Sequence, residues 1–203
     1  MATVTTDSIG SPLVLHFGPA INRFTEDEFF EFCQRNRDLR IERTRGGDLI
    51  VMPPSGGETG RCNSGLNYQL VAWNERMRHG EVFDSSTGFR LPGGPLRSPD
   101  AAWVARDRWR ALTCAQRKKF PPLAPDFVVE IRSETDSLRP LRAKMHEYIV
   151  CGVRLGWLID PMARRVEVYR PGKKPQTLKA PRTVSGEPVL PGFVLQLERI
   201  WSD

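Results

Sequence analysis

The order strand, helix, strand over residues 126–160 constrains the fold more than any other feature of the chain. An apolar run covers residues 127–131, a helical pattern follows from about 137 to 151, and a second apolar run covers 154–160. Two strands joined by a helix of this length lie parallel in one sheet. Hairpins predicted on either side add antiparallel strands. We therefore expect the fold class α/β (α+β), with a mixed central β-sheet flanked by helices.

Shorter signals predict the elements around this unit. Thr25 and Glu28 form a capping box that begins a short helix, which stops near Asn36. Residues 39–43 and 49–52 are two strands of a hairpin that turns at Gly46-Gly47, and residues 165–169 close a second hairpin with 154–160. A long helix is expected over about 58–78, ended by Gly80, and residues 106–124 predict one or two short helices.

The length of 203 residues fits one domain with a sizeable core, and neither an internal repeat nor a linker divides the chain. We expect a single domain over 1–203. Within it, residues 1–20 are interpreted as a loosely held arm and residues 172–203 as a C-terminal extension.

The net charge of +6 permits a polyanionic partner without requiring one. The positive excess is concentrated in residues 161–182, and a solvated face and a phosphate-binding surface both explain it. The basic residues there are Arg164, Arg165, Arg170, Lys173, Lys174, Lys179 and Arg182.

The cysteines and apolar stretches indicate a cytoplasmic protein. Four widely separated cysteines form neither a zinc motif nor a disulfide framework, which is typical of reduced thiols. The start lacks the features of a secretory signal, and no apolar stretch approaches the length of a membrane span.

Two carboxylates occur beside or within apolar strands. Asp100 follows Pro99 and leads into one strand, and Glu130 interrupts the β-branched run of residues 127–131. An ionised carboxylate buried without a partner is costly, and a divalent cation is the partner that most directly stabilises two of them. The pair predicts a metal site. The alternatives are a turn or capping role for Asp100 and an edge-strand or ion-paired glutamate at 130.

A lysine on the following helix completes a set of side chains suited to phosphodiester hydrolysis. Lys144 lies at one edge of the apolar stripe of that helix and Arg142 at the other, so periodicity does not choose between them. Lysine is favoured because its pKa can fall in an apolar, metal-rich site, whereas arginine stays charged. The alternative is a lysine whose stem lies along the core while its head reaches water.

The order of these residues resembles the PD-(D/E)XK nuclease superfamily. A longer set of segments is similar to the Uma-two family of bacterial restriction endonucleases, from about residue 24 to 171. The segments that carry this resemblance include Met52-Pro53-Pro54-Ser55-Gly56-Gly57, Ser98-Pro99-Asp100, Pro125-Asp126-Phe127-Val128-Val129-Glu130-Ile131-Arg132-Ser133, Lys144-Met145-His146-Glu147-Tyr148 and Trp157-Leu158-Ile159-Asp160-Pro161.

The resemblance implies a restriction-endonuclease-like core and a set of site residues. Asp100 and Glu130 would be metal ligands, with the carbonyl of Ile131 as a third. Lys144 would take the lysine role from the helix, because Arg132 occupies the position two residues after the glutamate where the superfamily usually has lysine. Arg132 would hold a phosphate or form a salt bridge with Glu130.

Glu58 is a further candidate, as an auxiliary acid of the site or as a favourable charge at a helix N-terminus. Together these features predict a Mg²⁺-dependent DNA endonuclease, with Mn²⁺ as an alternative metal. A homodimer is expected, since cutting a duplex needs two active sites or two events. The alternative function is a nuclease-fold protein with little or no catalysis that binds nucleic acid or a protein partner.

Overall fold

The computed structural model describes residues 3–5, 12–16 and 24–201, with the backbone alone at 3–5. The strands are β1 (Thr3–Thr5), β2 (Leu13–His16), β3 (Arg40–Arg43), β4 (Leu49–Met52), β5 (Gly80–Asp84), β6 (Phe89–Arg90), β7 (Leu96–Arg97), β8 (Ala101–Ala105), β9 (Phe127–Ile131), β10 (Leu155–Asp160), β11 (Arg165–Tyr169), β12 (Gln176–Lys179), β13 (Thr183–Ser185) and β14 (Val194–Gln196). The helices are α1 (Glu26–Arg35), α2 (Gly57–Met77), α3 (Arg106–Arg110), α4 (Cys114–Lys118) and α5 (Leu138–Val150).

The strands form two larger sheets and one hairpin. Sheet A has the order β1-β2-β4-β3-β7-β6, and sheet B has the order β12-β11-β10-β9-β8-β5. In sheet B, β9 and β10 are parallel and joined by α5, while their other neighbours are antiparallel. The predicted mixed sheet flanked by helices is therefore confirmed, with its β-α-β unit and both hairpins.

Sheet B is covered on both faces, which explains the apolar character of its central strands. One face packs against α2 and the C-terminal hairpin β13–β14, around Trp157 and Phe193. The other face packs against α5, where Met145 and Tyr148 are fully buried. On β9 the alternation of side chains sends Val129 to the first face and Glu130 to the second. Glu130 therefore points towards α5.

The capping box of α1 is present as predicted. The Thr25 hydroxyl accepts a hydrogen bond from the Glu28 amide, and the Glu28 carboxylate accepts one from the Thr25 amide at 2.7 Å. The end of α2 differs from the prediction. Arg78, with a left-handed φ of 51°, caps this helix, and Gly80 is the first residue of β5.

The two chain ends contribute more to the fold than expected. In the arm predicted to be loose, β2 pairs with β4 and so extends sheet A. The local sequence pattern does not specify this pairing with a distant segment. The remainder of 1–20, apart from β1 and Pro12, lies outside the described residues. In the C-terminal extension, Leu190 and Leu195 are fully buried in the core beside sheet B. The single-domain organisation stays a prediction. Within the described residues, no helix is both long and apolar enough to cross a membrane.

Candidate active site

The pairing of β8 with β9 brings the two predicted carboxylates together. Ala101 lies opposite Val129, so Asp100, one residue before β8, lies beside Glu130 at the end of β9. The two residues are only 7% and 3% exposed. The carboxylate of Asp100 is fixed because its Oδ2 accepts a hydrogen bond of 2.8 Å from the Ile131 amide.

Helix α5 supplies a lysine and a tyrosine to the same carboxylate. Lys144 Nζ lies 2.9 Å from Glu130 Oε1, and the Tyr148 hydroxyl donates to that oxygen at 2.8 Å. The two side chains are four residues apart and therefore share one face of the helix. Arg142 instead pairs with Glu167 on β11, and its side chain is 45% exposed. Helical periodicity did not choose between Arg142 and Lys144. The fold places Lys144 at the carboxylates.

Sheet A contributes a third carboxylate that the sequence analysis missed. Glu42 Oε1 lies 2.8 Å from Lys144 Nζ and also accepts a hydrogen bond from the Ser98 amide, while its Oε2 accepts one of 3.1 Å from Arg97. A signal for its burial exists in the sequence. Its cross-strand partner Ile50 belongs to β4, which is apolar at four consecutive positions, as in a strand covered on both faces.

Two arginines border the cluster. Arg40 Nη2 lies 3.6 Å from Asp100 Oδ1 and donates to the Ser98 carbonyl. Arg97 Nε donates to Glu147 on α5 at 2.6 Å. These contacts join sheet A to α5 around the three carboxylates.

Burial and neighbouring charges shift the pKa values of the two glutamates in opposite directions. Burial raises the pKa of Glu130 to about 7, and the nearby carboxylates of Asp100 and Glu42 add to this against the opposing effect of Lys144. Burial also opposes ionisation of Glu42, but Lys144 and Arg97 outweigh it and lower that pKa to about 2. Near neutral pH, Glu42 is therefore ionised in the metal-free protein, whereas Glu130 is ionised only in part.

The pKa of Lys144 is raised, whereas the sequence analysis favoured lysine because its pKa can fall in such a site. Burial favours the neutral amine, but the carboxylates of Glu130 and Glu42 outweigh burial and raise the pKa. Lys144 is therefore protonated and acts as a hydrogen-bond donor. The pKa of Asp100 is raised by burial, with Arg40 opposing the shift.

A cavity of about 670 Å³ leads to these groups. Asp100, Glu130 and Lys144 line it together with apolar side chains from sheet A, among them Ile50 and Met52. Its volume is within the range of small-molecule sites in proteins, about 300–1,000 Å³.

The two auxiliary candidates lie outside the cluster. Glu58 is exposed at the N-terminus of α2, where its carboxylate accepts hydrogen bonds from Arg61. Arg132 donates to Asp160 and to the Asp136 carbonyl rather than pairing with Glu130, because it lies two residues further along the chain, level with Asp160. Of its two predicted roles, phosphate binding stays open.

Comparison with known proteins identifies the family. The model of the Uma2 family, described as "Putative restriction endonuclease", matches residues 26–198. The chain belongs to the Uma2 family. The predicted resemblance is thereby confirmed for most of the chain. No functionally curated protein matches it.

A solved structure shows the same fold as this Uma2 protein. It is a crystal structure from Anabaena variabilis, described as "a putative nuclease belonging to DUF820", with a TM-score of 0.69 and 20% sequence identity. The match covers 88% of this chain and 97% of that chain. At this identity the likeness establishes the fold, and with the family description it supports a nuclease.

The donor set of this Uma2 protein fits a hard divalent cation. No group of three or more His, Cys, Asp or Glu residues placed to hold a metal occurs in the described ranges. Mg²⁺, however, commonly binds through one or two carboxylates and completes its shell with water and substrate phosphate. Within residues 24–201 we find no hydrogen-bond donor to Glu130 Oε2 or Asp100 Oδ1. Glu130 Oε2 is thus available as a ligand, whereas Asp100 Oδ1 lies 3.6 Å from Arg40 Nη2 and would exchange this ion pair for the metal.

Proposed function

We propose that this Uma2 protein is a Mg²⁺-dependent endonuclease that hydrolyses phosphodiester bonds of DNA. The observation that carries the proposal is the buried Lys144 ammonium at 2.9 Å from Glu130, with Asp100 on the neighbouring strand and a cavity leading to all three. The family description and the nuclease-like fold support the reaction class. The net charge of +6 suits a polyanionic substrate.

Glu130 would hold the metal through Oε2 and Asp100 through Oδ1, which would give up its ion pair with Arg40. The Ile131 carbonyl is a third candidate ligand. Mn²⁺ would suit the same oxygen ligands. A bound Mg²⁺ would lower the pKa of a coordinated water and stabilise charge on the phosphate.

Lys144 would act as a donor to the attacking water or to the charge that develops on the phosphate oxygens. In the metal-free protein its raised pKa keeps it protonated, as this role requires. Tyr148 and the Ile131 amide would act as positioning groups, because they fix one oxygen each of Glu130 and Asp100.

The test is cleavage of supercoiled plasmid DNA with Mg²⁺ or Mn²⁺ by the parent and by Asp100→Asn and Glu130→Gln. We expect each substitution to reduce the rate at least about 100-fold, since removal of one stabilising group commonly costs this much. Glu31→Gln, which removes a carboxylate from an exposed ion pair on α1, should cut like the parent. Equal cutting by parent, Asp100→Asn and Glu130→Gln contradicts the site.

The arrangement of the ion pairs also favours a second candidate, a nuclease-fold protein that binds nucleic acid without cutting it. Lys144 is held between Glu42 and Glu130, and Arg97 neutralises the other oxygen of Glu42, so the network is compensated without a metal. Calorimetric titration with Mg²⁺ separates the two candidates. Binding that is lost in Glu130→Gln supports the enzyme, while salt-dependent DNA binding without Mg²⁺ binding or products supports the second candidate.

DNA as the nucleic acid, the homodimer and the cytoplasmic location stay predictions. A dimer would place two sites on one duplex. Sedimentation of the protein with and without duplex DNA measures the oligomeric state.

A further inference from the structure

Three basic side chains form a row across sheet B beside the carboxylates. Arg165 on β11 pairs in register with Lys179 on β12 and with Asp160 on β10. Arg132 follows β9, where its amide donates to the Ile159 carbonyl and its guanidinium to Asp160. We call Arg132, Arg165 and Lys179 the cationic row.

The cationic row lies on the same face of sheet B as Glu130. Side chains alternate between the two faces, and the intervening residues Ile131, Val166 and Leu178 pack into the core on the opposite face. Arg132 stands two residues beyond Glu130 on the same chain segment, a distance of about 7 Å. The next residue, Ser133, lines the cavity. The cationic row therefore continues directly from the candidate active site.

The cationic row keeps a positive charge after its internal pairing is counted. Asp160 lies between its two arginines, 3.0 Å from Arg132 Nη1 and 3.3 Å from Arg165 Nη2. This carboxylate fixes both guanidinium groups but neutralises only one charge of three. Lys179 is exposed. Burial opposes ionisation of Asp160, but hydrogen bonds from the Ala163 amide and from the two arginines outweigh it and lower the pKa, so the carboxylate stays ionised near neutral pH.

The length of the cationic row matches a stretch of nucleic-acid backbone. Neighbouring strands are about 4.8 Å apart, so the three steps from β9 to β12 span about 14 Å. Phosphates of one strand advance about 3.4 Å each along a duplex axis, so this distance corresponds to about four phosphates.

We propose that the cationic row binds the phosphodiester backbone next to the bond held at Asp100 and Glu130. This inference rests on the proposed function and extends it, because it assigns the side of the site on which the flanking phosphates lie. This proposal assigns only some of the basic residues of 161–182 to the binding surface. Lys179 at the end of β12 belongs to the binding surface, whereas Lys173 and Lys174 occupy the turn between β11 and β12 at the opposite end of the sheet.

The hairpin provides a matched pair of variants, Lys179→Glu and Lys174→Glu. Both residues are exposed and both changes alter the charge equally, but the two positions are five residues apart, about 17 Å along an extended strand. Binding of a fluorescein-labelled 20-base-pair DNA duplex, and of one of its strands alone, is measured by anisotropy in EDTA. Salt is varied from about 50 to about 200 mM NaCl. Thermal unfolding checks that both variants fold.

We expect Lys179→Glu to reduce the slope of log affinity against log salt by about 0.9 on duplex DNA, the contribution of one phosphate contact. Over this fourfold salt increase the parent should then lose about 3.5-fold more affinity than the variant. Lys174→Glu should keep the parent slope. The same difference on the single strand, with a change of about 0.7, also supports the cationic row.

Equal slopes for Lys179→Glu and Lys174→Glu overturn the cationic row, as does a parent that shows no salt-dependent DNA affinity. Cleavage with Mg²⁺, measured in parallel, separates this failure from that of the proposed function. If Glu130→Gln loses cleavage while the two lysine variants bind alike, only the cationic row is wrong. If the slope falls in Lys179→Glu but no DNA is cut, the cationic row stands and the proposed catalysis fails.

Discussion

At the scale of single residues, the candidate site is centred on one lysine shared by two buried glutamates. Lys144 Nζ lies within 3 Å of Glu42 and of Glu130, which are themselves 1% and 3% exposed. Sequence reasoning found Glu130 because an acid inside an apolar run needs a partner. It missed Glu42, because alternation along β3 alone suggests a solvent-facing side chain, and the covering elements are distant in sequence.

Replacing Lys144 with methionine should destabilise the metal-free protein. The substitution leaves Glu42 and Glu130 buried without their common cation, and breaking a buried ion pair by removing one partner costs about 3–5 kcal/mol. Urea unfolding of the parent and Lys144→Met measures the loss. The double variant Glu42→Gln/Lys144→Met should recover part of it, because the buried charge of Glu42 that lost its lysine is then also gone. A loss below about 1 kcal/mol contradicts the importance of the shared contact.

Glu130 should make the metal-free protein less stable as pH rises. Its pKa is raised to about 7 in the folded chain, above the ordinary value of 4.5, so the folded state binds the proton more tightly. The stabilisation from this proton is complete below the ordinary pKa and is lost as pH rises through about 7. Denaturant unfolding at about pH 6 and about pH 8 should therefore show a larger decline in the parent than in Glu130→Gln. Equal declines contradict the raised pKa.

At the scale of secondary-structure elements, the local sequence pattern predicted most helices and strands. It did not determine which of their faces pack against each other. The capping box of α1, the hairpins and the β9-α5-β10 unit follow from signals within a few residues. Local signals do not decide whether Arg142 or Lys144 reaches the carboxylates, because both residues flank the apolar stripe of α5. The choice is decided by which strand each side chain meets, β11 with Glu167 or β9 with Glu130.

Gly80 has a packing role rather than the helix-ending role that its position suggests. A Cβ atom there would lie 2.2 Å from the carbonyl oxygen of Val104 on β8. Gly80→Ala should destabilise the protein by about 2 kcal/mol or more, since the clash is with backbone. Gly60→Ala in α2 is the control, because nothing lies within 4 Å of its added Cβ and alanine favours helix by about 1 kcal/mol. Equal stability of both variants in thermal or urea unfolding contradicts this role.

At the scale of the whole molecule, the candidate site is assembled from distant parts of the chain. Sheet A supplies Glu42 and the bordering arginines, sheet B supplies the two carboxylates, and α5 supplies Lys144. The contribution of sheet B was predictable, because β8 and β9 carry their own signals. That of sheet A was not, because nothing in a single sequence specifies which faces of separate sheets meet.

The chain should unfold in one cooperative transition. Phe193 and Leu195, from the C-terminal extension, share a core cluster with Trp157 of β10 and Leu70 of α2. Loss of any one layer therefore exposes the others. Far-ultraviolet circular dichroism and tryptophan fluorescence should give the same midpoint in urea. Two separate midpoints contradict the single-domain prediction.

The separation in sequence of the contacts at the site has a consequence for the order of folding. Tyr148 and Glu130 are 18 residues apart, Asp100 and Ile131 are 31 apart, and Glu42 and Lys144 are 102 apart. Contacts between distant segments form slowly, because the entropy of closing the intervening chain opposes them. Among the contacts of the site, we therefore expect the β9-α5 contact to form before the Glu42–Lys144 contact. The cluster to which we assign cleavage is therefore complete only after segments 102 residues apart have met, so a partly folded chain lacks it.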